Sequence, residues 1–106
     1  NTIRELRRDG EWPPVIPSVV LVESLQGDPG RDATTNQFLR TCHVEPTVTV
    51  RLARRAATLR RLAGRGSAVD AVVVASAEPG GVVLTGDVGD LRALAAHARD
   101  VAVERI

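Results

Sequence analysis

Four carboxylates, Glu23, Asp70, Asp87 and Asp90, stand where an α/β chain gathers its chemistry. Asp87 lies two residues past the apolar run Val82-Val83-Leu84-Thr85, at the carboxyl edge of the strand that this run predicts. Asp90 follows at the start of the next helix, and Asp70 closes the group Ser67-Ala68-Val69-Asp70. Glu23 is set in Val19-Val20-Leu21-Val22-Glu23-Ser24-Leu25, with apolar neighbours on both sides. A carboxylate buried there without a partner would be costly, so Glu23 is expected to be exposed, paired or bound to a cation.

Each acid taken singly has a plain structural reading. Asp90 stabilises a helix N-terminus, an effect of ~0.3–1 kcal/mol. Asp70 returns the hydrogen bond of a Ser67 capping box. Glu23 occupies the exposed face of a short helix. As a set they say more. Carboxylates from separate elements meeting at one sheet edge repel and raise each other's pKa, a conflict that a divalent cation resolves. Mg²⁺ and Mn²⁺ take hard oxygen ligands, keep several waters and bridge to phosphates. Such an ion supplies hydroxide and stabilises the charge of an in-line phosphodiester displacement.

Other chemistries find little footing. His43 and His97 have no metal-ligand spacing with Cys42, and no nucleophile elbow is present. Pro79-Gly80-Gly81 and the Gly86/Gly89 pair match neither a phosphate-binding loop nor a dinucleotide fingerprint and read as turns.

The elements that must position the acids are short strands alternating with longer helices. Thr2, Ile3 and Leu6 mark the tail of an amphipathic helix closed by Asp9-Gly10, and Trp12-Pro13-Pro14 is a turn. Val15-Ile16 predicts a strand stopped at Pro17, and Ser18 is placed to cap a helix over Val19 to Gln26, with Gly27 as its stop. Arg31 to Arg40 is helical in pattern, and Cys42 to Val44 predicts a second strand. Leu52, Ala56, Leu59 and Ala63 recur at helical spacing, in a helix that ends at Gly64 or Gly66. Val69 to Ala77 is ambiguous, since Val72-Val73-Val74 favours strand and the Ser67 capping box favours helix. After the strand Val82 to Thr85, Leu91, Leu94, Ala95 and Ala98 mark one more helix, and Val101 to Ile106 a last edge strand. The alternation predicts an α/β fold with a short, mostly parallel sheet covered by helices on both faces.

At 106 residues, 43% hydrophobic and 25% charged, the chain is expected to form a single domain over 1–106 around one core. With 2% aromatic residues, that core must be built from Val, Leu, Ile and Ala. No apolar run reaches the ~18–20 residues that span a bilayer, and the lone Cys42 points to a reducing cytoplasm. The net charge of +1 conceals clusters in which every basic residue is arginine: Arg4, Arg7 and Arg8, then Arg51, Arg54, Arg55, Arg60, Arg61 and Arg65. All-arginine usage has a neutral reading in the base composition of a gene. The clusters still create positive fields suited to phosphates or an acidic partner.

The order of these pieces resembles the PIN-domain ribonucleases, in particular the VapC-like toxins of toxin–antitoxin pairs. The likeness rests on Val15-Ile16-Pro17-Ser18-Val19-Val20-Leu21-Val22-Glu23, on Ala68-Val69-Asp70-Ala71-Val72-Val73-Val74-Ala75 and on Val82-Val83-Leu84-Thr85-Gly86-Asp87-Val88-Gly89-Asp90-Leu91. These match the family patterns P-S-x-x-x-x-E, x-D-A-x-x-A and L-T-x-D-x-x-D-L, in order and with family-like gaps. The resemblance implies a three-layer PIN-like fold and a Mg²⁺- or Mn²⁺-dependent endoribonuclease. Glu23, Asp70 and Asp87 would hold the metal, with Asp90 the auxiliary acid. Thr85 matches a hydroxyl that orients the carboxylates, and Asn36 a polar position common in the family. It also favours helix over strand for Val69 to Ala77. Arg51, Arg54, Arg55 and Arg61 would steer RNA to the cleft, a cognate antitoxin would neutralise the toxin by filling the site groove, and a homodimer is expected.

The departure lies at the start. PIN domains begin with a central strand ending in an aspartate, and nothing before Pro17 matches it. The chain opens on Asn1 and contains no methionine, so it is expected to be a piece of a longer protein that lacks this strand and its acid. A second expectation therefore stands beside the nuclease: a catalytically inactive PIN-like remnant that binds RNA or protein.

Overall fold

Leu52, Ala56, Leu59 and Ala63 fall on one side of a helix, and in the computed structural model, which describes residues 13–106, they turn that side inward. The chain divides at Thr47/Val48 into two compact units. The first holds β1 (Val15–Pro17), α1 (Val20–Ser24), α2 (Ala33–Leu39) and β2 (His43–Glu45). The second holds α3 (Val50–Ala63), α4 (Ala68–Ala77), β3 (Val82–Thr85), α5 (Gly89–Ala95) and β4 (Ala102–Arg105). The expected helix over Thr2 to Arg8 lies outside the described residues, as does Trp12 of the expected turn.

The architecture is α/β, with short parallel strands and connecting helices. β1 pairs in parallel with β2, Ile16 opposite Val44, and β3 pairs in parallel with β4, Val83 opposite Val103. Parallel neighbours need a crossover; α1 and α2 supply it in the first unit and α5 in the second. The single sheet expected from the sequence is therefore divided into two strand pairs among the described residues. Ala102 N–H donates to the Gly81 carbonyl and Ile106 N–H to that of Thr85, so this edge of β3 is spent on β4. The main-chain groups of Val82 and Leu84 point the other way, where no described strand meets them.

In the second unit Leu59, Val74 and Leu94 are fully enclosed, and Ala56, Ala71, Ala75, Val83 and Leu91 complete the core around them. It is aliphatic, as the scarcity of aromatic residues requires. α3 starts where the Thr49 hydroxyl accepts from Leu52 N–H and ends on Gly64, whose φ of 69° suits a residue without a β-carbon. α4 settles the ambiguity of Val69 to Ala77 in favour of helix. Ser67 Oγ accepts from Asp70 N–H at 3.0 Å, and the Asp70 carboxylate accepts from Ser67 N–H at 3.3 Å. This reciprocal cap satisfies two otherwise orphaned amides and outweighs the strand preference of three valines. No helix among the described residues is long and apolar enough to cross a membrane.

The first unit corrects one detail of the sequence reading. Ser18 does not cap α1; its hydroxyl donates to the Pro46 carbonyl, and the helix starts after Val19 without a side-chain cap. The helix accordingly spans only Val20–Ser24, short of the expected Val19 to Gln26. What organises the next loop is Asp32, a buried carboxylate that accepts from the amides of Gln26, Gly27 and Asp28 at 2.9, 2.9 and 3.2 Å. Three main-chain donors meet the needs of a buried carboxylate without a counter-ion.

Candidate functional site

Asp87 and Asp90 flank the turn after β3. Thr85 fixes that turn: its hydroxyl donates to the Asp87 carbonyl at 2.9 Å and accepts from Asp87 N–H at 3.0 Å. Thr85 thus orients Asp87 through the main chain, whereas the resemblance implied contact with the carboxylates themselves. The Asp87 side chain is exposed; Oδ1 accepts from Gly89 N–H at 3.2 Å, and Oδ2 has no partner among the described residues. One oxygen therefore stays open to solvent or a ligand.

Asp90, in the first turn of α5, is bound by Arg65 Nε at 2.6 Å, with both side chains roughly half exposed. An exposed pair of this kind contributes ~0.2–1 kcal/mol, so its interest is positional. Arg65 belongs to the link between α3 and α4, and the same guanidinium reaches the next turn. A β-carbon on Gly89 would stand 3.6 Å from Asp87 Oδ1 and 3.7 Å from Arg65 Nη2. Asp87, Asp90 and Arg65 thus share one small region at the carboxyl end of β3.

Glycine at position 66 brings the start of α4 to the same region. Its φ is +99°, and a β-carbon there would lie 2.8 Å from Leu94 Cδ1 and 3.7 Å from Asp90 Cβ. Only a residue without a side chain lets this loop run so close to α5. Ser67 and Asp70 follow directly. Asp70 is half-buried, with Oδ2 engaged in the capping box and Oδ1 without a hydrogen-bond partner among the described residues.

Glu23 belongs to the first unit, on α1, exposed and without an ion pair or hydrogen bond among the described residues. Of the apolar residues around it, Val22 is 80% exposed, so the apolar setting read from the sequence does not enclose Glu23. Asn36 sits on α2, half-buried at the wall of a cavity of about 320 Å³ lined also by Leu21, Leu25, Leu39, Arg40 and Val44.

The donor chemistry, carboxylate oxygens without histidine or thiol, suits a hard divalent cation. Among the described residues no three His, Cys, Asp or Glu side chains come together in a metal-holding group. Of the arginines assigned to RNA, Arg51, Arg54 and Arg61 are exposed on α3. Arg55 is turned elsewhere: its Nε and Nη2 donate to the two oxygens of Glu78 at 2.8 and 2.7 Å. Glu78 also accepts from Arg99 N–H at 2.6 Å, and Arg55 reaches the His97 carbonyl. Glu78 was not singled out by the sequence, because nothing local marks a glutamate whose partner lies 23 residues away. Arg65 escaped for the same reason, being 25 residues from Asp90.

Compared with family models, with curated proteins and with solved structures, the chain matches none of them.

Proposed function

We propose that this chain is a PIN-type, Mg²⁺- or Mn²⁺-dependent endoribonuclease, the toxin of a VapC-like toxin–antitoxin pair acting in the cytoplasm. The observation that carries the reading is the gathering of Asp87 and Asp90 at the carboxyl end of a parallel strand, near the loop that leads into the helix bearing Asp70. That is where open α/β sheets concentrate function.

In this reading Asp70 and Asp87, both of the second unit, would hold the ion. When bound, it supplies an activated water and neutralises charge on the phosphodiester. The remaining work falls to the chain's own groups. Thr85 keeps the Asp87 turn in place, Arg65 holds Asp90 in a fixed position as the auxiliary acid, and Asn36 is a peripheral polar group. Arg51, Arg54 and Arg61 draw the RNA backbone in; Arg55, committed to Glu78, is left out of that set. The first unit buries no apolar side chain except that of Pro17 among its described residues, and leaves Val15 and Val22 exposed. This supports association with a second copy and with an antitoxin segment.

Single-stranded RNA incubated with the protein and Mn²⁺ is expected to be cut internally, and EDTA is expected to stop the reaction. RNA that stays whole in Mn²⁺ would remove the nuclease reading. The capping role of Asp70 and the pairing of Asp90 with Arg65 favour a second reading, an inactive PIN-like module that binds RNA or protein. In that case RNA is retained by the protein but never cleaved.

A further inference from the structure

At the carboxyl end of α3 three arginines help to line one open cavity of about 520 Å³, whose walls are Ala57, Arg60, Arg61, Gly64, Arg65 and Gly66. The helix geometry makes the space. Ala57 is one turn before both Arg60 and Arg61, so its methyl group forms a floor between two long side chains. No acid lines the cavity.

The ordinary explanation for arginine in a last helical turn is compensation of the helix dipole. It accounts for the position of both Arg60 and Arg61, but not for what their side chains face: Arg60 Nε donates beyond the helix to the Gly66 carbonyl at 3.1 Å, and Arg61 is exposed with no hydrogen bond or ion pair among the described residues. Nor does it account for Arg65, which lies beyond the helix and faces both the cavity and Asp90.

From this arrangement we infer that the cavity is an anion site for successive phosphates of an RNA strand, and that Arg65 connects it to the acids after β3. Several planar, permanently charged forks around one space suit a polyanion better than a lone carboxylate. Arg65 fixes the register: it lines the cavity and its Nε donates to Asp90, so a backbone seated on Arg60 and Arg61 is led toward Asp87 and Asp90. The inference deepens the nuclease reading and rests on it for the choice of RNA over an acidic protein.

The test is fluorescence anisotropy of a labelled single-stranded RNA ten-mer with the full chain in EDTA, so that binding is measured without cleavage. Arg61→Ala removes a side chain that makes no bond among the described residues, so the fold is retained. It is expected to weaken binding roughly five- to tenfold at low salt and to reduce the salt slope by ~0.7, the value for one single-strand phosphate contact. Arg92→Ala, an exposed arginine on α5 away from the cavity lining, is expected to change affinity less than about twofold.

Wild-type affinity in Arg61→Ala, or an equal loss in Arg92→Ala, overturns the inference. So does a hexaglutamate peptide that displaces the RNA at equal concentration, which would make the cavity a protein-binding site. Failure of the wild-type chain to cut RNA in Mn²⁺ bears on the nuclease reading alone and leaves this comparison intact.

Discussion

Asp70→Asn is expected to lower Mn²⁺-dependent RNA cleavage by more than ~100-fold with little change in thermal stability. Even groups that only support a metal ligand affect affinity or activity by ~10–100-fold, so loss of a ligand carboxylate should exceed that range. The exchange separates the cap that Asp70 forms from its proposed role as a ligand. As a cap, Asp70 needs only an oxygen to accept from Ser67 N–H at 3.3 Å, and the asparagine carbonyl can provide it. As a ligand, Asp70 needs its negative charge, which asparagine lacks. Cleavage assays and melting curves on the same preparation distinguish them. Equal cleavage by Asp70→Asn would reduce this residue to a helix cap.

Glu78→Ala is expected to cost about 3 kcal/mol, at the lower end of the ~3–5 kcal/mol for breaking a buried ion pair. Glu78 is 5% exposed and takes both donors of Arg55, itself 27% exposed, as well as the Arg99 amide. The alanine variant leaves a guanidinium and an amide without their acceptor, while tying nothing else between α3, the end of α4 and the link to β4. A loss of this size corresponds to a fall of roughly 10–20 °C in melting temperature for a domain of this length.

The same pair sets a pH dependence. The hydrogen bonds from Arg55 draw the Glu78 carboxyl from an ordinary 4.5 down to about 2, against the opposing effect of burial and with help from the Arg99 amide. Arg55 is correspondingly raised, first by its bond to Glu78. A carboxyl depressed in the folded state contributes stability in full above its unfolded pKa, and that stability is lost as pH falls through the folded value. The gap between wild type and Glu78→Gln, read by thermal unfolding, should therefore be constant above pH 5 and shrink toward pH 2. A gap that stays unchanged at pH 2 would show that the charge of Glu78 contributes nothing.

Much of the second unit was legible in residue order because local rules and packing agree there. The spacing of Leu52, Ala56, Leu59 and Ala63 set the buried face of α3, Ser67 and Asp70 marked the start of α4, and Val82 to Thr85 is a strand over the expected residues. Where packing overrode local rules, the reading missed. Ser18 has the type of a helix cap, but the Pro46 carbonyl, 28 residues away, takes its hydroxyl. Arg55 belongs by position to a basic face, yet Glu78 draws it inward. Asp32 had no sequence mark at all, because its three partners are main-chain amides that come within reach only once the loop closes. The site was legible as residue types and order; the hold of Arg65 on Asp90 depends on a crossing of two segments that no spacing rule encodes.

The central proposal, that Asp70 and Asp87 share one hard cation, is tested most directly by substoichiometric Mn²⁺ in the amide spectrum of the isotope-labelled chain. Paramagnetic broadening should strike the amides around both acids at the same Mn²⁺ concentration, and excess Mg²⁺ should restore them together. Broadening confined to a single acid, or spread evenly over every exposed carboxylate, would contradict a shared site.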